Sequence, residues 1–383
     1  MKKNLLIVIS NIGIGGQERV AINTASILKD KYNSTLSVFY MEENSYKPSI
    51  PLVDLDIPPS QGIINKIVNV FRRTRALKKL KRNLNIDVAL SFGSTANIAN
   101  ALSRVSDKVI VSIRGYYEAL SNSLIGKHIN KLVYNKADVT ICVAEKLSRD
   151  LREIYQLPIG KVVTLYNPYD FDSIVEQANK NIPIEIRHPA IVTMGRLDKI
   201  KGYRHLLNAF ALVQKIIPEA SLIFVGEGSE KDKLKELVTV LGLTENVVFV
   251  GFQANPHSYL SKCDIYVLSS IHEGFPNALV EAMACGLPVV ATDCKSGPRE
   301  ILTEIYCDIA AKEIEYSDYG ILIPPFSSDD SSEVEKEKLL ADAMLQLLTS
   351  ENIYGHYRKK VQERAKVFSF KVYRDKVIKI IEG

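Results

Sequence analysis

Residues 266–292 carry the pattern that most constrains the fold of this chain. Tyr266-Val267-Leu268 is typical of a short buried strand, and Glu273-Gly274-Phe275-Pro276 predicts a turn, because glycine permits positive φ and proline cannot continue a strand. Asn277 can cap the helix predicted over Ala278 to Cys285. Pro288 to Thr292 is then typical of the next buried strand. This succession predicts a βαβ unit and therefore a parallel sheet.

The same alternation of strand and helix patterns runs through both halves of the chain. It predicts an α/β protein with two doubly wound parts, each a parallel sheet with helices on both faces. A length of 383 residues is too great for one ordinary core and favours two domains. Residues 172–188 are polar and are predicted to link the halves, so we expect domains at 1–178 and 187–355.

Composition and cysteine spacing exclude several classes of protein. Apolar residues make up 46% and charged residues 24%, the values of a globular enzyme, and no apolar run approaches the ~18 residues of a membrane span. A net charge of +5 is too small to indicate nucleic acid, and no nucleic-acid-binding motif is present. The five cysteines lack metal-site spacing, so we predict free thiols in the cytosol and no metal.

Two carboxylates mark the predicted loop and helix: Glu273 in the strand-to-helix loop, and Glu281 about one turn inside the helix. An isolated pair with this spacing is ordinarily a surface charge and a capping residue. The string from His272 to Val290 is more specific, because it resembles the signature E-G-x-P-N-x-x-x-E-A-M-A-x-G-x-P-V-V-A almost letter for letter. That signature belongs to the GT-B glycosyltransferases of retaining family 4 (group 1). Asp293 to Leu302 is similar to the branch that builds bacterial surface polysaccharides.

The resemblance implies the GT-B architecture, in which two Rossmann-like domains face a central cleft. It implies that residues 1–178 bind the acceptor and residues 187–355 bind the nucleotide sugar, with a C-terminal helix, 356–383, packing back on the first domain. The resemblance covers nearly the whole chain and is strongest from Gly195 to Leu302. Residues 305–319 look inserted relative to the family spacing, and 327–338 are expected to form a solvated loop.

The loop from Gly195 to Gly202 carries two cations, Arg196 and Lys201. A nucleoside-diphosphate leaving group gains negative charge as its bond to the sugar breaks. Two cations directed at that charge neutralise it, as a metal does in other enzymes. The resemblance assigns Arg196 and Lys201 to the diphosphate, whereas a loop of surface cations is the alternative. We therefore predict a metal-independent transferase with no cofactor and with a nucleotide sugar, a UDP-sugar on family frequency, as co-substrate.

Both carboxylates have an expected partner in the donor. A carboxylate accepts two hydrogen bonds from a vicinal diol, so Glu281 is predicted to bind the ribose hydroxyls. Glu273 is predicted to hold the hydroxyls of the donor sugar near the reacting carbon. The loop and first helical turn after it supply further donor-binding residues: Gly274, Phe275, Asn277 and Ala278. Glu227 and Phe252, which follow two other predicted strands, are expected to line the base pocket.

Gly15, Gly16 and Arg114 are candidates in the first half of the chain. The glycines follow the first predicted strand but fail as a dinucleotide fingerprint, because Glu18 replaces the third glycine. They fit the G-G-x-E-R loop of the resembled family, which implies close backbone approach to donor phosphate and acceptor; a simple tight turn is the alternative. Arg114 stands where many relatives have histidine. It indicates an anionic donor, an acceptor phosphate, or a structural pair with a buried carboxylate.

A helix predicted over residues 63–85 contains no acidic residue. Its cations are Lys66, Arg72, Arg73, Arg75, Lys78, Lys79, Lys81 and Arg82. An apolar stripe runs along it: Ile64, Ile67, Val68, Phe71, Leu77, Leu80 and Leu84. A basic amphipathic helix suits an anionic membrane surface. The alternative is a helix packed on the core with its basic face in solvent.

Together these features predict a retaining glycosyltransferase. We expect it to move a hexose or N-acetylhexosamine to a lipid-linked or growing oligosaccharide of a capsule, exopolysaccharide, O-antigen or other lipopolysaccharide. Glu273 acts as a nucleophile, or the reaction is a front-face displacement; both remain open. The protein is expected in the cytoplasm, peripheral on the inner face of the cell membrane. The alternatives are a UDP-sugar epimerase of the same fold, an inactive partner subunit and a dehydrogenase, which Glu18 disfavours.

Overall fold

The computed structural model of the protein describes residues 2–13, 15–42, 48, 50–116, 123–329 and 333–383. The chain divides into two compact units. The first unit comprises Met1–Pro168 and Phe370–Gly383, and the second comprises Tyr169–Ser369. Each unit has its own seven-stranded sheet, so the prediction of an α/β chain with two doubly wound parts is confirmed.

The first unit is built on a parallel sheet with strand order β3-β2-β1-β4-β5-β6-β7. Its strands are β1 (Asn4–Ile9), β2 (Asn33–Val38), β3 (Leu52–Asp54), β4 (Val88–Phe92), β5 (Lys108–Ile113), β6 (Val139–Cys142) and β7 (Val162–Thr164). The described helices between them are α1 (Gly16–Leu28), α2 (Ile63–Asn83), α3 (Ser94–Leu102), α4 (Leu124–Lys136) and α5 (Glu145–Tyr155). Leu5 to Ile9 of β1 are at most 1% exposed, because the central strand of such a sheet is covered on both faces.

The second unit has strand order β10-β9-β8-β11-β12-β14-β13. Its strands are β8 (Ala190–Met194), β9 (Ser221–Val225), β10 (Val247–Gly251), β11 (Ile265–Leu268), β12 (Val289–Thr292), β13 (Glu315–Ser317) and β14 (Gly320–Ile323). Its helices are α6 (Phe171–Ala178), α7 (Tyr203–Ile216), α8 (Lys231–Val240), α9 (His257–Leu260), α10 (Asn277–Ala284), α11 (Pro298–Leu302), α12 (Val334–Thr349) and α13 (Glu351–Lys366). All pairs are parallel except β13 with β14.

The predicted linker is only partly irregular. Its first residues form α6, which Asp170 caps by accepting a hydrogen bond from the backbone N–H of Ser173. Ile174 and Ala178, one helical turn apart, are buried within the second unit. The chain therefore divides at Pro168, earlier than the predicted 178, because two apolar positions anchor a segment whose overall composition is polar.

The C-terminal segment is two helices rather than the single helix expected over 356–383. Helix α13 contributes Tyr357 to the core of the second unit. The last helix, α14 (Phe370–Glu382), contributes Tyr373, Val377 and Ile381 to the core of the first unit. A hydrogen bond of 2.8 Å between the hydroxyls of Thr24 and Tyr373 also ties α14 to α1. The chain must break between the helices because each buries its apolar face in a different core.

Two segments expected to be loop or insertion are partly ordered by buried charges. Glu337 was placed in a solvated loop, but it lies in α12, is 6% exposed and accepts hydrogen bonds from His205 Nδ1 (2.7 Å) and Asn208 Nδ2 (2.9 Å). Residues 330–332 of that predicted loop lie outside the described residues. The segment 305–319 ends in β13, where Glu315 accepts two hydrogen bonds from the Arg299 guanidinium, which lowers the pKa of this carboxyl.

Helix α2 turns charged residues towards the core of the first unit and apolar residues towards solvent. Arg73 and Lys81 are buried. The Lys81 Nζ atom donates to Asp107 Oδ2 (2.7 Å) and Asn100 Oδ1 (2.7 Å), and both charged side chains are fully buried. Four apolar residues of the N-terminal half are 65–79% exposed: Ile63, Ile64, Ile67 and Phe71. The alternative of a helix packed on the core through its apolar stripe is therefore wrong for this half, because the hydrogen bonds of Lys81 and Arg73 fix which side of α2 faces inward. No described helix is long and apolar enough to span a bilayer.

We expect the substitution Lys81→Met to lower the free energy of unfolding by about 3–5 kcal/mol, because it leaves the buried Asp107 carboxylate without its cation. Urea denaturation measures the effect. Lys79→Met, at an exposed position of the same helix, is the control and should change stability by less than ~0.5 kcal/mol. Equal effects of the two substitutions would contradict the buried pair.

Candidate active site

Apart from Gly15, Gly16 and Arg114 in the first unit, the residues predicted to bind the donor lie at one edge of the second unit. They follow the carboxyl ends of β8, β9, β10 and β11. Asn277 and Ala278 begin α10, the helix that contains Glu281 and leads into β12. Strand β11 pairs with β8, although more than sixty residues of chain separate the two strands. The loops after these two strands therefore meet. In open parallel sheets this edge is where ligands bind.

Lys201 and Glu273 are brought into direct contact at this edge. The Lys201 Nζ atom lies 2.7 Å from Glu273 Oε1, and the side chains are 20% and 10% exposed. Burial alone would lower the pKa of Lys201, but the adjacent Glu273 carboxylate outweighs that effect and raises the pKa to about 12. The amine is therefore a fixed cation beside the carboxylate.

Glu273 is held by a second donor as well. The Ser270 hydroxyl donates to Glu273 Oε1 at 2.7 Å, and Ser270 itself is 1% exposed. Both of these bonds end on Oε1. Within the part of the chain that the structure describes, Oε2 therefore keeps lone pairs for an incoming hydroxyl group. The sequence did not indicate Ser270, because its role depends on the turn geometry after β11.

The backbone around Lys201 is fixed by a close approach at Gly202. This glycine has φ +61°, and a Cβ atom there would lie 2.3 Å from the Ser269 carbonyl oxygen. The Ser269 hydroxyl also donates to the Lys201 carbonyl at 2.8 Å. A glycine is required because both the positive φ and the contact exclude a side chain. The loop after β8 is thereby attached to the loop after β11.

The loop from Gly274 to Asn277 is clamped by residues that sequence reasoning missed. The Ser296 hydroxyl donates to the Gly274 carbonyl at 2.8 Å. Gly297 has φ +95°, and a Cβ there would lie 2.5 Å from Pro276 Cδ. The Tyr169 hydroxyl donates to Asn277 Oδ1 at 2.6 Å. Only the Gly297-Pro298 turn signal was visible in the sequence, since the other contacts join distant segments.

The predicted cap of α10 is wrong in detail. The helix begins at Asn277, with Pro276 in the capping position and no side-chain capping bond from it. Phe275 is 6% exposed and packs edge-on against Phe368, with ring centroids 5.5 Å apart. Ala278 stands in the first turn of the helix. The backbone N–H groups of this first turn remain suited to a polar ligand, as at any helix start.

Glu281 lies one turn inside α10, as the sequence predicts, and is 4% exposed. Its Oε2 atom is 3.2 Å from Nε2 of His257, in the short helix α9. Sequence reasoning missed His257, because nothing in its local pattern indicates a partner on another helix. A carboxylate this deeply buried requires hydrogen-bond donors, and the imidazole supplies one.

Arg196 is not joined to the Lys201–Glu273 pair. Its side chain is 73% exposed, and its Nε atom lies 2.5 Å from Asp198 Oδ2, two residues further along the same loop. An exposed ion pair of this kind contributes about 0–1 kcal/mol. The guanidinium can therefore turn from Asp198 towards a stronger anion at little cost.

Glu227 and Phe252 both lie at the surface. Glu227 pairs with Lys231 (2.6 Å), and its side chain is 46% exposed. Phe252 is 61% exposed at the end of β10. The Gly226 amide donates to the Gly251 carbonyl at 2.9 Å, so the loops that carry these two residues are adjacent. An exposed ring beside backbone polar groups is the arrangement expected of a surface for a planar base.

Gly15 and Gly16 lie at the start of α1 in the first unit. Ile14, which precedes them, lies outside the described residues. A Cβ atom on Gly15 would lie 1.9 Å from Glu18 Oε2, so the glutamate side chain folds over the glycine. Burial raises the pKa of Glu18. The Glu18 carboxylate is the far end of a flexible side chain and can move aside, so both interpretations of Gly15 stay predictions.

Arg114 follows β5 in the first unit and is half-buried. Its Nη1 atom donates to Asn167 Oδ1 at 2.9 Å, and its guanidinium carbon lies 5.2 Å from the centroid of the Phe92 ring. An amide oxygen, rather than the carboxylate that we considered, accepts this hydrogen bond. The contacts orient a cation at the carboxyl edge of the first sheet.

Comparison with known proteins decides the family. Residues 175–366 match the family described as Glycosyl transferases group 1, and residues 14–173 match Glycosyltransferase Family 4. The chain is a glycosyltransferase of this family. This family 4 enzyme is 30% identical, over 97% of its length and 98% of the relative's, to N-acetylgalactosamine-N,N'-diacetylbacillosaminyl-diphospho-undecaprenol 4-alpha-N-acetylgalactosaminyltransferase of Campylobacter jejuni. It is 31% identical to an uncharacterized glycosyltransferase of Methanocaldococcus jannaschii, over 82% of this chain and 84% of that protein.

Solved structures confirm the fold class of this family 4 glycosyltransferase. Anabaena HepE, in complex with UDP and glucose, superposes with a TM-score of 0.78 and 18% identity over 100% of both chains. The GT-B fold and the bacterial polysaccharide type of glycosyltransferase are therefore confirmed. The individual roles assigned to the site residues stay predictions.

We expect Gly202→Ala to destabilise the glycosyltransferase by about 3 kcal/mol or more, because it adds both left-handed strain and a clash with the Ser269 carbonyl. Gly242→Ala is a matched control, since Gly242 has φ +71° but no atom within 4 Å of a Cβ. It should cost about 1 kcal/mol. Thermal and urea unfolding measure both, and similar losses would show that the contact with Ser269 contributes nothing.

Proposed function

We propose that the protein is a retaining, metal-independent transferase. It moves a hexose or N-acetylhexosamine from a nucleotide sugar, a UDP-sugar, to a lipid-linked or growing surface glycan. The observation that carries the proposal is the 2.7 Å contact between Lys201 and Glu273. It puts a cation for the leaving phosphate beside a carboxylate for the donor sugar. Glu281, proposed for the ribose, lies one turn inside the helix that follows.

In the proposed reaction the bond between the anomeric carbon and the phosphate oxygen breaks, and the leaving diphosphate gains charge. Lys201 and Arg196 neutralise that charge. Removing one such preorganised charge or donor typically costs about 2.7–4 kcal/mol of transition-state stabilisation. Lys201 is already held in place, whereas Arg196 must turn away from Asp198. No metal is required for this charge compensation.

Retention follows from a front-face displacement. The acceptor hydroxyl oxygen attacks the anomeric carbon from the side on which the phosphate leaves, and its proton passes to the departing phosphate oxygen. The contacts of Glu273 support this route over a covalent one. A carboxylate that accepts hydrogen bonds from Lys201 and Ser270 is a weakened nucleophile, and it is well placed to bind sugar hydroxyls.

Two relatives support the choice of substrates. The HepE structure contains UDP and glucose, and the Campylobacter jejuni relative is named for transfer of N-acetylgalactosamine to a saccharide on diphospho-undecaprenol. A UDP-sugar donor and a polyprenyl-diphosphate-linked acceptor are therefore proposed for this chain. Arg114, oriented at the carboxyl edge of the first sheet, is proposed to bind a phosphate of the acceptor.

The first unit carries a surface that suits a lipid-bound acceptor. The exposed apolar residues of α2 lie among cations, and α4 adds Leu124 and Ile125, which are 76% and 75% exposed. Both helices pack against α3, and both begin at the carboxyl edge of the sheet. Neither helix contains an acidic residue. We therefore propose peripheral binding to the anionic inner face of the cell membrane, from the cytoplasm.

Arg196→Ala should lower turnover of the donor by about a hundredfold, the usual effect of removing one charge-stabilising group, without changing the melting temperature by more than ~2 °C. The assay follows nucleotide release from a panel of UDP-, GDP- and ADP-sugars. Arg204→Ala, an exposed arginine at the start of α7, is the control. Unchanged turnover in Arg196→Ala would show that this residue takes no part in the reaction. If the wild type releases nucleotide from none of the donors, an inactive partner subunit is favoured.

Membrane binding is tested by sedimentation with vesicles that contain anionic phospholipid. Replacing the exposed cations Arg72, Arg75 and Lys79 with glutamine should reduce the bound fraction severalfold, since each surface cation contributes about 1 kcal/mol. Glutamine at Lys371, Lys376 and Lys379 of α14 removes the same charge elsewhere and should leave binding unchanged. If both variants lose the same fraction of vesicle binding, net charge alone explains the effect, and α2 is not the membrane-binding surface.

A further inference from the structure

The side chain of His257 contacts the residue predicted to bind the ribose. It is 14% exposed, and its Nε2 atom lies 3.2 Å from Glu281 Oε2. The two residues belong to different helices, α9 and α10, which follow different strands of the second sheet. The contact therefore depends on how these two helices pack against each other, because the two residues are not neighbours in the sequence.

The imidazole is held on a fixed support. The Asn255 side chain, just before α9, donates to the Gln177 carbonyl of α6 at 2.9 Å. The Ser258 hydroxyl donates to the Asn255 carbonyl at 2.9 Å. On the other side, the Cys285 thiol lies 3.9 Å from the His257 carbonyl oxygen. These contacts fix the backbone that carries His257, and the ring itself contacts Glu281.

A glutamate carboxylate binds a vicinal diol well only in one orientation, because both hydroxyl hydrogens must point at its lone pairs. An unsupported glutamate side chain samples several rotamers, and restricting them costs free energy on binding. A hydrogen bond from Nε2–H to Oε2 restricts these rotamers before the ligand arrives. It also supplies a donor to a carboxylate that is almost completely buried.

We infer that His257 is a positioning residue that orients the Glu281 carboxylate for the ribose hydroxyls of the nucleotide. The inference rests on the proposed function, in which Glu281 binds the ribose. It assigns to His257 a share of the ribose recognition alone, with no part in binding the diphosphate or the sugar.

The test compares the affinities of UDP and 2′-deoxy-UDP by isothermal titration calorimetry, with the full chain throughout. Wild type should bind UDP about ten- to a hundredfold more tightly, because a hydrogen bond to a charged group contributes about 1.5–3 kcal/mol. His257→Leu should reduce that ratio to less than about threefold while 2′-deoxy-UDP binds as to wild type. His257→Gln keeps an N–H donor and should restore most of the ratio. His356→Leu, an exposed histidine on α13, should behave as wild type.

The substitution Glu281→Gln distinguishes a failure of the His257 inference from a failure of the proposal that Glu281 binds the ribose. If Glu281→Gln and His257→Leu each abolish the preference for UDP on their own, the two residues serve the same recognition and the inference stands. If Glu281→Gln abolishes the preference and His257→Leu retains it, His257 has no positioning role although the ribose site is correct. If Glu281→Gln keeps the wild-type preference, the ribose role of Glu281 itself fails. Loss of both affinities in parallel, without rescue by glutamine, would make His257 merely structural.

Discussion

The contact between Lys201 and Glu273 is the interaction on which the site in the second unit depends. It exists because β8 and β11 are neighbours in the sheet, so loops distant in sequence end side by side. Gly202 lets the two loops approach, and the Ser269 and Ser270 hydroxyls fix the amine's backbone and the carboxylate. A low-dielectric position strengthens the attraction between the two groups. Strand order thus determines the electrostatics of the site.

The sequence allowed the repeating strands and helices, the turn at Glu273 and the position of Glu281 to be predicted, because each is written in local periodicity or in one unbroken motif. It did not reveal His257, Tyr169 or Ser296. Each of these side chains acts on a segment at least twenty residues away, and nothing local marks such a partner. The polar stretch after Asp170 was misinterpreted because two buried positions anchor it against the trend of its composition.

Helix α2 shows how a buried charge can decide between two interpretations of an amphipathic helix. A helix packed on the core through its apolar stripe would bury Ile64, Ile67 and Phe71, yet the hydrogen bonds of Lys81 with Asp107 and Asn100 turn them to solvent. Arg73 holds α2 in the same orientation. Its guanidinium donates to the Ile57 carbonyl (2.8 Å) and lies over the Phe39 ring. A buried ion pair contributes little net stability, but it specifies which rotational setting of a helix is possible.

The cysteines differ in a way that matters for labelling the protein. Burial raises the pKa of the thiols of Cys142, Cys263, Cys285 and Cys294, which suppresses their thiolates at neutral pH. Cys307 alone among the five is exposed, in the inserted segment whose end Arg299 clamps through Glu315. An alkylating fluorophore or spin label would therefore attach at one position. The native chain carries its own reporter of local motion beside the second sheet.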